Sequence, residues 1–131
     1  MSFSYPKSHK LKSKKSIDLL FTKGKSVSKY PLRLVYAVAD EQHMGGEMMK
    51  IGVSVSKKYF KHAVDRNYFK RVLRETYRLH QHLLRENLKE PYIFMFFYQT
   101  KERLRYSEIE QKTIQLFEKW VAEVSKQSSK I

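Results

Sequence analysis

The chain has 131 residues, 41% of them apolar, which is enough for one domain with a hydrophobic core. Its formal net charge of +14 favours polyanionic partners, and the absence of cysteine excludes disulfides and thiolate zinc sites. The sequence has no apolar run near the roughly 20 residues needed to cross a bilayer, and no secretory signal. We therefore expect a cytoplasmic protein with no membrane contact and no obligate protein partner.

The N-terminal part of the chain predicts a basic arm and then a short helix. Residues 1–10 lack hydrophobic periodicity and are expected to form an extended arm. A helix is predicted over residues 13–23, because three apolar side chains recur there at helical spacing: Ile17, Leu20 and Phe21. Gly24 follows directly and is placed to end this helix.

Two strands are predicted next. Alternation in the β-branched stretch after Pro31 indicates the first, and K-I-G-V-S-V-S at residues 50–56 indicates the second. Apolar side chains of the second strand alternate with a polar set that includes Ser54 and Ser56, so one face is expected to be open. The turn residues between the strands, at 40–48, predict a hairpin loop.

The remaining sequence predicts a helix, a strand and a helix. A long helix is expected over residues 63–87, and the continuous apolar run over 92–98 has the length of a strand buried on both faces. Ser107, with Glu110 three residues later, predicts a capping box for the last helix. Residues 126–131 are expected to fray. The order helix, strands, helix, strand, helix predicts a single α+β domain.

The long predicted helix separates cations from apolar side chains. With 3.6 residues per turn, the cations fall on one arc of about 140° and the apolar side chains on another. The cationic arc consists of Arg66, Asn67, Lys70, Arg71, Arg74 and Arg78, and the lysines that precede the helix are Lys57, Lys58 and Lys61. Glu75 lies at the boundary, where it can pair with a cation one turn away.

The cationic arc has two interpretations, a solvated face or a polyanion site. Solvated helix faces usually mix acidic and basic residues, whereas here the cations repeat every four residues and repel one another. This pattern favours a polyanion. Arginine predominates, and its planar guanidinium can grip phosphate oxygens with two hydrogen bonds. Asn67 can donate to a phosphate, a base edge or a 2′-hydroxyl, and a bond to local backbone explains it equally well.

These residues resemble the signature of the bacterial ribonuclease P protein subunit. That family has a strand ending in S-V-S-K-K and a helix with R-N-R-x-K-R-x-x-R-E. This chain has Val53-Ser-Val-Ser-Lys-Lys58 and then Arg66-Asn-Tyr-Phe-Lys-Arg-Val-Leu-Arg-Glu75. The resemblance covers roughly residues 9–120. Tyr68 departs from it by replacing the second arginine of the motif, and Ile17 by replacing the first aromatic of the N-terminal helix.

The resemblance implies both a fold and a function. The fold is an α/β sandwich with a left-handed βαβ crossover. The protein binds a large catalytic RNA, and together they remove the 5′ leader of precursor tRNA by hydrolysing one phosphodiester. The RNA and its Mg²⁺ carry the chemistry, so the chain is a subunit of an endoribonuclease and binds no cofactor alone. The basic helix and its approach loop face the catalytic RNA.

The resemblance also implies a cleft for the single-stranded leader, between the N-terminal helix and the open face of the sheet. The residues assigned to this cleft are Ile17, Phe21, Tyr36, Ser54 and Ser56. Bases stack on aromatic rings, and each such stack is worth about 1–3 kcal/mol. Core packing explains Phe21 equally well, whereas for Tyr36 the cleft is preferred over the core.

The sequence offers little for catalysis by the chain itself. Asp18, Asp40 and Asp65 lie in different predicted elements, whereas metal-dependent nucleases need several convergent carboxylates. His80 and His82 are two apart on a helix and cannot form an i, i+4 metal pair. We therefore assign no catalytic residue and no metal ligand to the chain.

Two other functions compete with the ribonuclease P interpretation. A structural RNA-binding protein of ribosomal type would use the same basic helix without a role in cleavage, but it would need no leader cleft. A membrane-surface protein would need a helix that pairs a basic face with an exposed apolar one, which this sequence does not predict.

Overall fold

The computed structural model describes residues 9–11 and 13–128. In chain order its elements are α1 Lys14–Lys23, β1 Lys25–Lys29, β2 Leu32–Val38, α2 Glu41–Met44, β3 Met49–Val55, α3 Ala63–His80, α4 His82–Arg85, β4 Tyr92–Tyr98 and α5 Tyr106–Ser128. The α+β class and the order of the long elements are confirmed. Strand β1 was not predicted, because Val27 is its only buried side chain and its sequence therefore lacks a hydrophobic pattern.

The four strands form one sheet in the order β1-β2-β4-β3. Strand β4 pairs antiparallel with β2 and parallel with β3. The predicted hairpin between β2 and β3 is therefore wrong, because β4 lies between them. The turn residues end the short helix α2 instead, where Gly45 takes a left-handed conformation with φ of 56°.

Each face of the sheet packs on a different layer. The main core lies between the sheet and helices α3 and α5, and it includes Leu34, Tyr36, Phe94, Phe96, Phe117 and Trp120. The small core lies between the sheet and α1, and it includes Leu20, Val35, Ala37, Ile93 and Met95. Strand β4 contributes to both cores, which explains its continuous apolar sequence and confirms that it is buried on both faces.

Helix α3 connects the neighbouring parallel strands β3 and β4, as the resemblance implied, and the hand of this crossover stays a prediction. The predicted helix over residues 63–87 is divided at Gln81 into α3 and α4. The Gln81 amide donates to the carbonyl oxygen of Arg78 at 3.1 Å, and its oxygen accepts from Arg85 Nε at 2.7 Å. Such side-chain bonds to nearby groups compete with the backbone ladder of a helix.

Helix α5 begins at Tyr106, two residues earlier than the predicted capping box requires. The N–H of Arg105 donates to the Glu108 carboxylate at 3.3 Å, and the N–H of Ile109 donates to the Arg105 carbonyl oxygen at 3.1 Å. Glu108 therefore holds the start of the helix, and the predicted pairing of Ser107 with Glu110 is wrong. Glu110 contacts His80 Nε2 on α3 at 3.0 Å instead.

Both predicted terminal segments fall partly outside the described residues. Residues 1–8 of the predicted arm lie outside them, whereas the N–H of Leu11 donates to the Ile51 carbonyl oxygen at 3.1 Å, which attaches residues 9–11 to the edge of β3. At the other end, residues 129–131 lie outside the described chain. Residues 126–128 belong to α5, and fraying from 126 onward stays a prediction.

Gly24 ends α1 because of a close backbone contact. Its φ is −71°, and its N–H donates to the Leu20 carbonyl oxygen at 2.9 Å. A Cβ at this position would lie 2.1 Å from that oxygen and 2.9 Å from Val35 Cγ1. Only glycine therefore allows the chain to turn from α1 directly into β1.

We expect Gly24→Ala to destabilise the fold by at least the roughly 1–3 kcal/mol of an overpacked core, since a backbone oxygen cannot move aside as a side chain can. Gly52→Ala is the matched control. Its Cβ would meet the flexible end of Met95 at 3.2 Å and should cost less. Urea denaturation of both variants measures this difference, and equal losses would contradict the explanation for Gly24.

Candidate nucleic-acid interface

Helix α3 presents part of its predicted cationic arc to solvent. Its buried side chains are Phe69, Val72, Leu73, Thr76 and Tyr77. Asn67, Arg71 and Arg74 are exposed on the opposite side. The loop between β3 and α3 adds three exposed lysines, Lys57, Lys58 and Lys61. We call these six residues the α3 surface.

The buried arc of α3 is wider than the sequence analysis assumed. Tyr77 lies at about 20° from Arg66 on an ideal helix, within the predicted cationic arc, yet it is 0% exposed. Arg66 and Lys70 flank it and are only partly exposed. The exposed cations therefore occupy a narrower arc, and Arg66 and Lys70 lie at its border.

Arg66 holds the loop that precedes α3. Its Nη1 donates to the carbonyl oxygens of Phe60 at 3.0 Å and Lys61 at 2.8 Å. The Phe60 ring stacks on Phe69, with 4.7 Å between the ring centroids. These contacts fix the lysine-rich loop against the first turns of α3, so part of the role of Arg66 is structural.

Arg78 and Glu75 form an ion pair at the boundary of the arc. Arg78 Nη2 lies 2.6 Å from the Glu75 carboxylate, which confirms that Glu75 pairs with a cation one turn away. The hydrogen bond from Arg78 lowers the pKa of Glu75. This pair neutralises one of the predicted cations, so Arg78 contributes less positive charge to the surface than Arg71 or Arg74.

The structure adds a cation that sequence reasoning missed. Arg103, in the loop before α5, pairs with Asp65 of α3 at 2.9 Å. Its guanidinium lies over the ring of Phe69 at 5.3 Å. The sequence separation of 38 residues between Asp65 and Arg103 hides this contact from any local pattern.

The predicted leader cleft has one wrong member. Tyr36 is 3% exposed and belongs to the main core, where its ring meets Trp120 edge-on with centroids 6.1 Å apart. It points to the opposite face of the sheet from α1, because Val35 and Ala37 are the β2 residues that pack in the small core. Sequence alternation identified two sets of β2 side chains but not which set faces α1.

The other predicted cleft residues lie on the side of α1 or in the segment that follows β3. Phe21 is 67% exposed on α1, and Ile17 is partly buried against the small core. Ser54 is partly buried on the open face of β3, and Ser56 is exposed just after this strand. These four residues are compatible with a groove beside α1.

A row of side chains crosses the open face of the sheet through paired strand positions. Ser28 pairs with Arg33, Arg33 with Phe97, and Phe97 with Ser54. These four residues therefore lie side by side across the sheet. Arg33 is exposed, and Phe97 is partly buried at the margin of the small core. Sequence analysis missed both residues, although Arg33 was detectable as the polar position in the alternation of β2.

Titratable side chains elsewhere make local contacts. Among residues 9–11 and 13–128, no three His, Asp or Glu side chains are grouped so that they could hold a metal ion. His9 contacts Arg85 at 2.7 Å and Glu47 at 3.2 Å, and burial together with the nearby Arg85 lowers the pKa of its imidazole. None of the helices in this part of the chain is long and apolar enough to span a membrane.

Known proteins resemble this chain in sequence and in structure. A ribonuclease P component of Porphyromonas gingivalis is 42% identical over 93 residues, which are 71% of this chain and 66% of that protein. One from Dictyoglomus thermophilum is 38% identical over 87 residues, 66% of this chain and 68% of that protein. The alignment thus spans about two thirds of the length of each of these relatives.

The fold has a solved counterpart in the ribonuclease P protein of Staphylococcus aureus. That structure superposes with a TM-score of 0.67 at 19% identity and covers 84% of this chain and 93% of its own. The family model described as Ribonuclease P matches residues 5–121, which include α1, the whole sheet and the α3 surface. Because this match covers most of the sequence, the chain belongs to the ribonuclease P protein family.

Proposed function

We propose that the chain is the protein subunit of a ribonuclease P ribonucleoprotein and binds the catalytic RNA through the α3 surface. The exposed Asn67, Arg71 and Arg74 carry this proposal, since they stand on a helix whose other side is fixed in the main core. Guanidinium groups held on a rigid element can contact phosphates without a large loss of conformational freedom. The lysines of the approach loop extend the same positive surface.

The second part of the proposal is that the leader of precursor tRNA lies in the groove beside α1. Phe21 and Phe97 offer rings to unstacked bases, Arg33 offers a cation, and Ser54 and Ser56 offer hydroxyls. Contacts of these types read the backbone and the flat faces of bases. They therefore tolerate many leader sequences, which suits a subunit that serves many tRNAs.

The chemistry of this proposal resides in the RNA. Hydrolysis of one phosphodiester needs an activated water and stabilisation of charge on the phosphate, which bound Mg²⁺ supplies. The chain's own residues neutralise phosphates and hold the catalytic RNA and the leader of precursor tRNA close together. No cofactor is assigned to the chain alone, and its expected location is the cytoplasm.

Cleavage of precursor tRNA by the reconstituted ribonucleoprotein tests this function directly. At one fixed Mg²⁺ concentration, addition of the chain should increase the rate at which the RNA removes the 5′ leader. The reason is that the chain binds both the catalytic RNA and the leader. The control is a variant that lacks the two exposed arginines of α3, Arg71→Ala with Arg74→Ala. An RNA-binding protein that leaves the rate unchanged would be a scaffold of ribosomal type.

We expect Arg71→Ala and Arg74→Ala each to weaken binding of the catalytic RNA and to change stability by less than about 0.5 kcal/mol, since both side chains are exposed. Each should also reduce the dependence of affinity on salt by roughly one phosphate contact, about 0.7–0.9 in the slope of log K against log salt. Salt titrations of binding, together with thermal melts, measure both effects.

Two control variants complete this experiment. Lys89→Ala removes one exposed charge before β4, outside the α3 surface, and should leave the salt slope unchanged. Arg66→Ala should cost about 1 kcal/mol of stability, because it breaks the hydrogen bonds that hold the approach loop. A salt slope that is the same for Arg71→Ala and the native chain would overturn the assignment of the α3 surface.

The groove predicts discrimination between precursor and mature tRNA. Phe21→Ala and Phe97→Ala should each lower the affinity of the ribonucleoprotein for precursor tRNA by about 1–3 kcal/mol, the contribution of one stacked base. Affinity for mature tRNA should not change, because mature tRNA has no leader. Binding measurements with both tRNAs on the same preparation of ribonucleoprotein provide the comparison.

Phe97→Tyr keeps a ring at the same position and should bind precursor almost as the native chain does, which separates stacking from loss of packing. Met48→Ala removes an exposed apolar side chain outside the groove and should have no effect. Equal losses for precursor and mature tRNA would show that Phe21 and Phe97 do not contact the leader.

A further inference from the structure

Tyr68 occupies an unusual position on α3. It stands in the signature at the position where the family motif has its second arginine. Its side chain is 45% exposed, although the next residue, Phe69, is buried in the main core. Val64, one turn earlier on the same side, is 74% exposed. The two residues form an apolar patch on a surface that otherwise carries cations.

The ring of Tyr68 is held from one side. It meets Phe69 edge-on, with ring centroids 4.9 Å apart and an interplanar angle of 87°. Phe69 itself lies between Phe60 and Tyr98, at centroid distances of 4.7 and 4.6 Å. Tyr68 therefore rests on a rigid stack of rings, and a partner of its exposed side would lose little additional rotamer freedom on binding.

The surrounding charge defines what this ring can contact. Arg71 lies one turn further along the helix and Asn67 directly precedes Tyr68, and both are exposed. An apolar surface of another protein would have to cover these polar groups and leave them unpaired, which is costly. A nucleotide matches the arrangement better, because it carries a flat apolar base and a charged phosphate a few ångströms apart.

We propose that Tyr68 stacks on an unpaired nucleobase of the RNA that binds the α3 surface, with Val64 beside it. This inference rests on the proposed function and adds the type of RNA segment recognised. Bases inside an A-form duplex are stacked on one another and hidden from a side chain, so a continuous duplex cannot supply the partner. The RNA opposite the first turns of α3 therefore has a bulged, looped or terminal nucleotide.

The test compares the affinity of the catalytic RNA for several variants at position 68 over a range of salt concentrations. Tyr68→Ala should lose roughly 5- to 150-fold in affinity, the equivalent of one stacked base, with an unchanged salt slope. Tyr68→Phe should bind as the native chain does. Tyr68→Arg should bind more tightly than Tyr68→Ala, because arginine can contact a phosphate instead of a base. This added contact should increase the salt slope by roughly 0.7–0.9.

Tyr68→Leu separates stacking from packing. Leucine can still cover Phe69 but offers no flat face, so this variant should bind almost as weakly as Tyr68→Ala, even if the alanine variant is less stable. Val38→Ala, an exposed apolar position at the far end of β2, is the control and should bind normally. Native affinity of the leucine variant would overturn the proposal.

The outcomes also distinguish this inference from the proposed function. If Arg71→Ala weakens RNA binding and both Tyr68→Ala and Tyr68→Leu do not, the α3 surface binds RNA without a base stacked on Tyr68. If none of these variants weakens binding, the α3 surface itself is wrongly assigned. A loss of self-association in Tyr68→Ala, with RNA affinity intact, would identify the patch as a protein contact and would overturn the stacking proposal.

Discussion

The stacked rings of Phe60, Phe69 and Tyr98 determine which side chains of α3 face solvent. They join the approach loop, α3 and the end of β4, with centroid distances of 4.7 and 4.6 Å between successive rings. Because Phe69 is fixed in this way, the rotation of α3 about its own axis is fixed too. The exposed positions of Asn67, Arg71 and Arg74 follow from that rotation.

The charge balance of the α3 region explains why such a surface is compatible with folding. Like charges on one helix repel one another, and the net charge of +14 adds to this cost. Both acidic residues of α3 lie beside a cation, Asp65 beside Arg103 and Glu75 beside Arg78. Arg66 donates to backbone carbonyl oxygens instead. The charge that stays available for RNA is therefore concentrated on a few exposed side chains.

Local sequence patterns determined most elements but not their arrangement. Helical periodicity located α1, α3 and α5, and a continuous apolar run located β4, since each of these patterns involves residues close together in the sequence. The predicted hairpin between β2 and β3 is wrong, because the insertion of β4 between these strands depends on contacts between distant residues. The same limit explains why Tyr36 was wrongly assigned to the leader cleft. Alternation in β2 shows that Tyr36 and Val35 face opposite sides, and only the packing of α1 and α5 shows which side holds the groove.

The two proposed RNA contacts are adjacent along the chain, and this adjacency has a structural consequence. Strand β3 carries Ser54 on its open face, while Val55 is buried in the main core. The next three residues are Ser56, Lys57 and Lys58, and the Ser56 hydroxyl accepts from the Lys58 N–H at 3.1 Å, which shapes the start of the approach loop. The groove and the α3 surface are thus connected by a few residues between a strand and a helix that are both packed in one core. A leader in the groove would therefore be held at a fixed position relative to RNA on α3, because no flexible linker separates the two surfaces.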